Sequence, residues 1–226
     1  MADLEMTMRT TFAARDFTDD EVSDAEVHHL LDVARFASSG GNRQGWRVVV
    51  VRDPVTKRRL IELGLPTMAA YVAQAAAGER PFNTITPSSV DLAAAAADPP
   101  DLGWVDALAE APVHLLIGLD LTEVASFDAD LDRVGVVSGA SIYPFVHNLL
   151  LAARSIDLGG TLTTFVSRAE AAVRELVGFP DEVAVCALVP LGRPTRSLTR
   201  LRRDPVESFA RAERWDGGAP VTAPDQ

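Results

Sequence analysis

Apolar residues recur along the chain with two spacings, which predict alternating strands and helices. Three short apolar runs predict strands at residues 46–51, 113–119 and 183–191. The first run contains four consecutive valines, so we expect it to be buried on both faces. Between the runs, apolar residues follow helical spacing. The pattern therefore predicts an α/β or α+β sandwich in which helices cover a small central sheet.

Two helices have clear boundary signals. Ser23 and Glu26 form a capping box, and the apolar positions after them predict a helix to about Ala37. The longest helical pattern covers residues 136–156, where Pro144 predicts a kink or a break between two pieces. This second helix is apolar enough to serve both as a core helix and as a subunit interface.

Three shorter helices follow from local signals. Asp53 and Pro54 begin one that ends at Gly64, and an alanine-rich stretch at 68–77 predicts another. A second capping box, at residues 167–170, predicts the start of a helix that Gly178 ends.

Two segments do not follow either spacing. Residues 78–100 contain four prolines around an alanine run, which indicates a lid or insertion within 66–104, or a solvated loop. The tail, residues 195–226, is too polar to bury itself, so it either frays or wraps another surface. With no linker between halves, we expect residues 1–226 to form one domain.

The composition and charge of the chain limit the classes of partner that it is expected to bind. The net charge of −11 over 226 residues argues against nucleic acid or an anionic membrane as a general partner. No uncharged apolar run approaches the roughly 20 residues of a membrane span, and the N-terminus lacks the apolar core of a signal peptide. We therefore expect a cytoplasmic protein. The histidine spacing does not predict a metal site.

The stretch 38–46 is the most distinctive loop in the sequence. It combines glycines such as Gly40 with the polar side chains of Ser38, Ser39, Asn42 and Gln44. Its spacing fits a long helix C-cap and a ligand-binding loop equally well.

Arginines cluster at Arg9 and Arg15 and again at 200–203. Guanidinium groups bind phosphate through charge-assisted hydrogen bonds, so the clusters suit an anionic ligand. Pairing with surface carboxylates is the alternative, which spacing alone favours. The common signatures of nucleotide-binding loops, zinc proteases and serine hydrolases do not occur.

Several segments together resemble the nitroreductase family of flavoproteins. Residues 35–46 are similar to the family's segment A-P-S-G-x-N-x-Q-P-W. Arg15-Asp16-Phe17, the helix 148–154 leading to Gly159, and the segments 176–180 and 188–194 follow in the family's order. The similarity covers about residues 9–210.

The resemblance implies an α+β, three-layer α/β/α sandwich with a small mixed, mainly antiparallel sheet and a C-terminal arm that extends onto a partner subunit. It further implies an FMN enzyme that is a homodimer, with flavin sites at the interface. NAD(P)H would be the reductant, and the acceptor a small planar molecule such as a nitroaromatic, quinone or enone. The flavin carries the chemistry, so no catalytic side chain is predicted.

The resemblance also assigns cofactor-binding residues. Arg15 would reach the ribityl chain or pyrimidine edge, and the loop residues Ser38, Ser39, Gly40, Asn42 and Gln44 would come from the partner subunit. Gly160, Thr163 and Thr164 would lie along the isoalloxazine ring. Arg202 and Arg203 would hold the phosphate.

One departure from the family weakens the implied phosphate site. Thr11-Phe12-Ala13 stands where the family has Arg-Arg-Ser or Arg-His-Ser. Either Arg9, Thr11 and the tail arginines compensate, or flavin binds less tightly. A flavin-sequestering protein with little turnover and a deazaflavin-using relative therefore stay open as alternatives.

Overall fold

The computed structural model of the protein describes residues 3–97, 99 and 103–219. Its helices are α1 (Leu4–Thr10), α2 (Asp24–Ala34), α3 (Pro54–Ala76), α4 (Leu92–Ala97), α5 (Gly103–Glu110), α6 (Tyr143–Ser155) and α7 (Glu170–Val177). Its strands are β1 (Trp46–Val51), β2 (Val113–Asp120), β3 (Gly159–Gly160) and β4 (Val183–Gly192). Short 3-10 helices occupy Gly40–Asn42, Leu121–Glu123, Val137–Ser141, Phe165–Ala169 and Val206–Ser208.

The four strands form one sheet in the order β1-β2-β4-β3, and every neighbouring pair is antiparallel. An isolated parallel bridge joins Ala13 to Gly160 beside β3, outside the four strands. The predicted α+β sandwich with a small, mainly antiparallel sheet is confirmed.

Each face of the sheet packs against its own layer of helices. Leu115 and Ile117 of β2 face a core shared with α2 and α6, whereas Leu116 faces a core shared with α3, α5 and α7. Successive side chains of a strand point to opposite faces, so a strand covered on both faces reads as a continuous apolar run. This explains the unbroken hydrophobic sequence of β2.

The prediction that residues 46–51 are buried on both faces is wrong. In the described chain β1 is an edge strand that pairs with β2 alone, and Val50 is 40% exposed. Its valines reflect strand propensity and partial burial.

The predicted division of residues 53–77 into two helices is also wrong. One helix, α3, runs through both Gly64 and Pro66. Ile61 and Met68, on either side of the proline, are buried in the core. Their packing outweighs the lost backbone hydrogen bond, which costs roughly 3 kcal/mol in a helix interior.

The second capping box does not form. Ser167 lies inside the 3-10 helix, and its hydroxyl is buried with no hydrogen-bond partner in the described structure. Glu170 instead accepts hydrogen bonds from Arg174 and from the backbone N–H of Val185. The first capping box, between Ser23 and Glu26, is present as predicted, and α6 begins beside Pro144 after the predicted break.

Three elements were not predicted: α1, α4 and β3. The predicted lid, 66–104, begins inside α3, and its residues 98 and 100–102 lie outside the described part of the chain. The predicted arm, 195–226, is described to residue 219. No described helix combines the length and hydropathy needed to cross a bilayer.

Gly118 allows β2 and β4 to meet at a bulge, and replacing it tests this packing. A Cβ there would lie 2.5 Å from Val183 Cγ1 and 3.1 Å from the Phe179 ring. We expect Gly118→Ala to lower the free energy of unfolding by about 1–3 kcal/mol, measured by urea denaturation. At the control position Gly103, no atom of the described residues beyond its neighbours in sequence lies within 4 Å of a new Cβ, so Gly103→Ala should not destabilise the protein.

Adding Val183→Ala to Gly118→Ala removes the colliding methyl group and should restore part of the loss. Equal stability of the Gly118→Ala and Gly103→Ala variants would contradict this account of the bulge.

Candidate functional site

The site is built around a close backbone crossing at Gly159–Gly160. The N–H of Ala14 donates to the carbonyl of Gly160 (3.1 Å), so the N-terminal segment lies directly beside β3. A Cβ on Gly160 would lie 2.7 Å from the carbonyl oxygen of Pro190, and one on Gly159 would lie 2.7 Å from Pro194 Cγ. Only glycine permits this approach, which brings Arg15 next to the segment that follows Gly160.

That segment, residues 161–165, is fixed to the sheet. Thr163 and Leu188 exchange two backbone hydrogen bonds, of 3.0 and 2.8 Å. Beyond this pair the chain enters the 3-10 helix Phe165–Ala169, which packs on α3 beside Gly64. The segment therefore forms a rigid floor.

Above this floor lies a cavity of about 750 Å³, within the range typical of small-molecule sites. Arg15, Arg168 and residues 161–165 line it, together with Thr67, Met68, Tyr71 and Val72 of α3 and with Pro81, Phe82 and Leu108. No carboxylate lines the described cavity, so its charged groups are both guanidiniums.

Three predicted site residues meet in this cavity: Arg15, Thr163 and Thr164. The hydroxyl of Thr163 is buried and has no hydrogen-bond partner among the described residues. An unpaired buried hydroxyl costs free energy, so a partner for this atom would stabilise the site. Arg15 is exposed and forms no salt bridge within the described chain. Gly160 contributes through the crossing that shapes the floor.

The loop 38–45 lies elsewhere in the same chain. Trp46, which follows it, pairs with Leu119, whereas Gly160 pairs with Leu191, whose other neighbour is Val113. The segment that lines the cavity lies at the β3 edge of the sheet and the loop lies before β1 at the other edge, so β2 and β4, at about 4.8 Å per strand, stand between them. One chain therefore does not bring Ser38, Ser39, Gly40, Asn42 and Gln44 to the cavity.

Within the loop, polar groups are arranged around left-handed backbone. Asn42 and Gln44 both have φ of +54°, and Gly41 has φ of +61°. The N–H of Gly40 donates to Ser141 Oγ (3.2 Å), and that of Gln44 donates to Ser39 Oγ (3.1 Å). Non-glycine residues seldom adopt this conformation, and it is found often at binding sites.

The tail arginines line a different surface. Arg203 borders a groove of about 530 Å³ between α1 and the tail, together with Arg9 and Arg200. Arg202 is exposed, and its carbonyl accepts a hydrogen bond from Arg203 (2.8 Å). The structure thus groups Arg203 with Arg9 and keeps both apart from Arg15.

Thr11 does not replace the missing phosphate ligands by donating a hydrogen bond. Its hydroxyl donates to the carbonyl of Thr7 (2.7 Å), and that of Thr10 donates to Met6 (2.8 Å). Arg154 is better placed, because it lines a small recess with Thr11, Phe12, Gly159 and Gly160. Its Nε donates to Thr10 Oγ1 at 3.2 Å, and it has no carboxylate partner in the described structure.

A loop over the cavity is fastened by one carboxylate. Glu79 accepts hydrogen bonds from Ser88, from Ser89 and from Gln74. The hydroxyl of Ser88, followed by the donors of Ser89, lowers the pKa of Glu79 to about 2. Phe82, whose N–H donates to Gln74 Oε1 (3.0 Å), is held with φ of +52° and lines the cavity.

Sequence reasoning missed Arg154, Tyr71, Phe82 and Arg168. Arg154 lies in the last turn of α6, five residues before the glycine pair. Its closeness in sequence to the glycine pair could have identified it as a candidate site residue. The other three reach the cavity through the packing of α3, the loop and the 3-10 helix. No local pattern indicates those contacts.

Comparison with known proteins agrees with this geometry. The model of the nitroreductase family matches residues 8–193. A relative from Thermus thermophilus named NADH dehydrogenase is 30% identical over 202 residues, which are 85% of this chain and 87% of the relative.

Two solved structures share the fold. The NADPH:FMN oxidoreductase from Vibrio harveyi complexed with NAD+ has a TM-score of 0.67 at 19% identity, covering 94% of this chain and 78% of that one. Iodotyrosine deiodinase bound to FMN and 3-iodo-L-tyrosine has a TM-score of 0.66 at 20% identity, covering 94% and 100%. The family match over most of the sequence, together with this fold, establishes that the chain belongs to the nitroreductase family.

Proposed function

We propose that the protein is an FMN-dependent oxidoreductase that transfers electrons from NAD(P)H to a small planar acceptor, such as a nitroaromatic, quinone or enone. The observation that carries this proposal is the cavity that Arg15, Thr163 and Thr164 line together, in which the charged groups of the described lining are two guanidiniums. The Vibrio harveyi enzyme of the same fold is an NADPH:FMN oxidoreductase, which supports the choice of cofactor and donor.

The residues of the cavity fit a flavin. An isoalloxazine ring is flat and mainly apolar with a polar pyrimidine edge, and the cavity offers Met68, Tyr71 and Phe165 beside Arg15 and Thr163. Arg154, which borders a narrow recess with Gly159 and Gly160, would supply a cation toward the phosphate. When bound, FMN supplies the hydride-accepting and electron-donating chemistry.

The chain's own residues would position the flavin and stabilise its reduced form. Arg15 would place a positive charge near the pyrimidine edge, where negative charge collects on reduction. Thr163 and Thr164 would supply hydroxyls to polar ring atoms, with the backbone of Gly160 beside them. The loop that carries Phe82 would limit access of water. None of these roles needs a proton-transferring side chain.

For the phosphate, we propose Arg154 as the main ligand. Arg202 and Arg203, with Arg9, would supply further positive charge from the α1–tail groove. This arrangement would compensate for Thr11-Phe12-Ala13, because a guanidinium hydrogen bond to a charged group contributes about 1.5–3 kcal/mol.

The site would be completed by a second copy of the chain. Ser38, Ser39, Gly40, Asn42 and Gln44 lie at the opposite edge of the sheet from the cavity, so in a homodimer they would reach the partner's flavin. The tail would cross the same interface, and its large apolar side chains fit this role, since Phe209 is 62% exposed and Trp215 is 76% exposed. We also propose one domain over 1–226, with 66–104 as a lid, and a cytoplasmic location, where NAD(P)H is at hand.

The visible spectrum tests the cofactor and the reaction together. Purified protein mixed with FMN and desalted should stay yellow, and anaerobic NADH or NADPH should bleach it rapidly. A nitroaromatic or quinone should then restore the oxidised spectrum. Protein that retains no FMN would contradict the proposal, and so would bound FMN that reduced nicotinamide does not bleach, as a flavin-sequestering protein predicts. Tighter binding of a deazaflavin in a parallel titration would point to that cofactor instead.

Replacing Arg154 tests the proposed phosphate site. Arg154→Gln should raise the dissociation constant of FMN by about one to two decades, because a charge-assisted hydrogen bond is lost. The dissociation constant of riboflavin, which lacks the phosphate, should change little. Fluorescence titration measures both, with Arg59→Gln as a matched control on an exposed arginine that pairs with Glu62 (3.1 Å).

An equal loss of riboflavin affinity would show that Arg154 shapes the recess rather than binding phosphate. Unchanged FMN affinity would place the phosphate elsewhere.

Truncation tests the arm. Removing residues 195–226 should give monomers or insoluble protein, because the apolar tail would no longer cover the partner. Light scattering with gel filtration measures the mass of the product, with the full chain as control. A truncated protein that remains a yellow dimer would refute the proposed arm.

A further inference from the structure

Phe82 and Arg168 divide two neighbouring cavities. Both residues line the main cavity and also a second one of about 530 Å³ between α3 and α4. Apart from Arg168, the second cavity is lined largely by small and apolar side chains, among them Leu63, Ala70 and Leu92. The guanidinium carbon of Arg168 lies 5.3 Å from the centre of the Phe82 ring, so the two side chains stand together as a partition.

The partition is held in place from both sides. Phe82 has left-handed backbone, and its N–H is bound by Gln74, whose Nε2 in turn donates to Glu79. Arg168 lies in the 3-10 helix that packs on α3. A non-glycine residue in this conformation is retained only where its surroundings fix it. Phe82 is therefore held in a fixed position, and its aromatic ring lines the cavity.

Arg168 has no carboxylate partner among the described residues, and no carboxylate lines either cavity. Several arginines of this acidic chain pair closely with carboxylates, as Arg58 with Glu110 and Arg47 with Asp120, both at 2.6 Å. Arg168, like Arg15 and Arg154, does not do so in the described structure. An unpaired guanidinium beside an aromatic ring presents its donors to whatever enters the cavity. Planar guanidinium groups favour carboxylates, which they bind through two parallel hydrogen bonds.

We propose that Arg168 selects acceptors that carry an anionic group, such as a carboxylate, on a flat aromatic ring. The ring would stack near Phe82 and Tyr71, and the anion would face the guanidinium. This inference rests on the proposed function, in which Arg15 serves the flavin and Arg168 is the cation left for the acceptor. The phosphates of NAD(P)H share the same chemistry, so the test separates the two anions.

Binding to the FMN-saturated protein measures the selectivity directly. 4-Nitrobenzoate and 4-nitrobenzyl alcohol have the same ring and differ in charge. Calorimetric titration should give a dissociation constant roughly tenfold lower for the carboxylate. Arg168→Gln should remove this preference and leave binding of the alcohol within about twofold, whereas Arg168→Lys should keep part of it. Arg59→Gln, on the outer side of α3, serves as control.

Steady-state kinetics adds a second reading. Arg168→Gln should raise KM for 4-nitrobenzoate and leave KM for NADH and NADPH unchanged. A rise in KM for the nucleotide with an unchanged preference between the acceptors would assign the arginine to the donor and overturn the inference. Equal weakening of both nitro compounds would also overturn it, because a structural role predicts that result.

The inference and the proposed function fail in different ways. If neither compound is reduced, the proposed function fails, yet the titration still decides whether Arg168 prefers the anion. If both compounds are reduced and bind equally well, the function stands and the inference is refuted.

Discussion

The contact between the glycine pair 159–160 and β4 is the constraint on which the site depends. With any side chain at Gly160, the Pro190 carbonyl would have to move, because a Cβ would lie 2.7 Å from it. The same crossing lets Ala14 bind Gly160 and turns residues 161–165 onto the sheet. Arg15 lines the cavity with residues 161–165, and Arg154 lines the recess with Gly159 and Gly160, so the two arginines lie beside consecutive parts of the same backbone. The close backbone packing at the glycine pair thus sets the position of the cavity, and side chains line it.

The antiparallel sheet also sets a limit on what one chain achieves. Because β1 and β3 form opposite edges of the sheet, with β2 and β4 between them, the loop before β1 and the segment after β3 lie at opposite edges. The polar loop 38–45 is therefore separated from the cavity of its own subunit by the width of the sheet. A two-fold axis is the simplest arrangement that brings such a loop to a partner's cavity. In the proposed dimer, this separation would place the loop of each subunit beside the cavity of the other.

Local signals in the sequence predicted local structure well. The Ser23–Glu26 box begins α2 where expected, and β2 and β4 are found where the apolar runs lie. The failures are non-local. Pro66 should end a helix, but buried neighbours on both sides keep α3 continuous, and the 167–170 box is overridden because Glu170 binds β4 instead.

In the candidate site too, residues near a sequence motif were predicted and residues brought together by tertiary packing were not. Arg15, Thr163 and Thr164 were predicted because they lie close in sequence to motifs of the family, and the cavity unites them. Phe82 and Arg168 come together through tertiary packing between a fastened loop and a 3-10 helix, and no spacing in the sequence indicates such a pair. The loop residues Ser38 to Gln44 pose a third case, because their proposed ligand belongs to another subunit's cavity.

A crystal structure of the protein grown with FMN tests the central claim most directly. The account predicts the isoalloxazine ring on the floor formed by residues 161–165, with Arg15 at its pyrimidine edge and the loop 38–44 of a second copy against it. FMN bound in the α1–tail groove, or a flavin site completed by one chain alone, would contradict it.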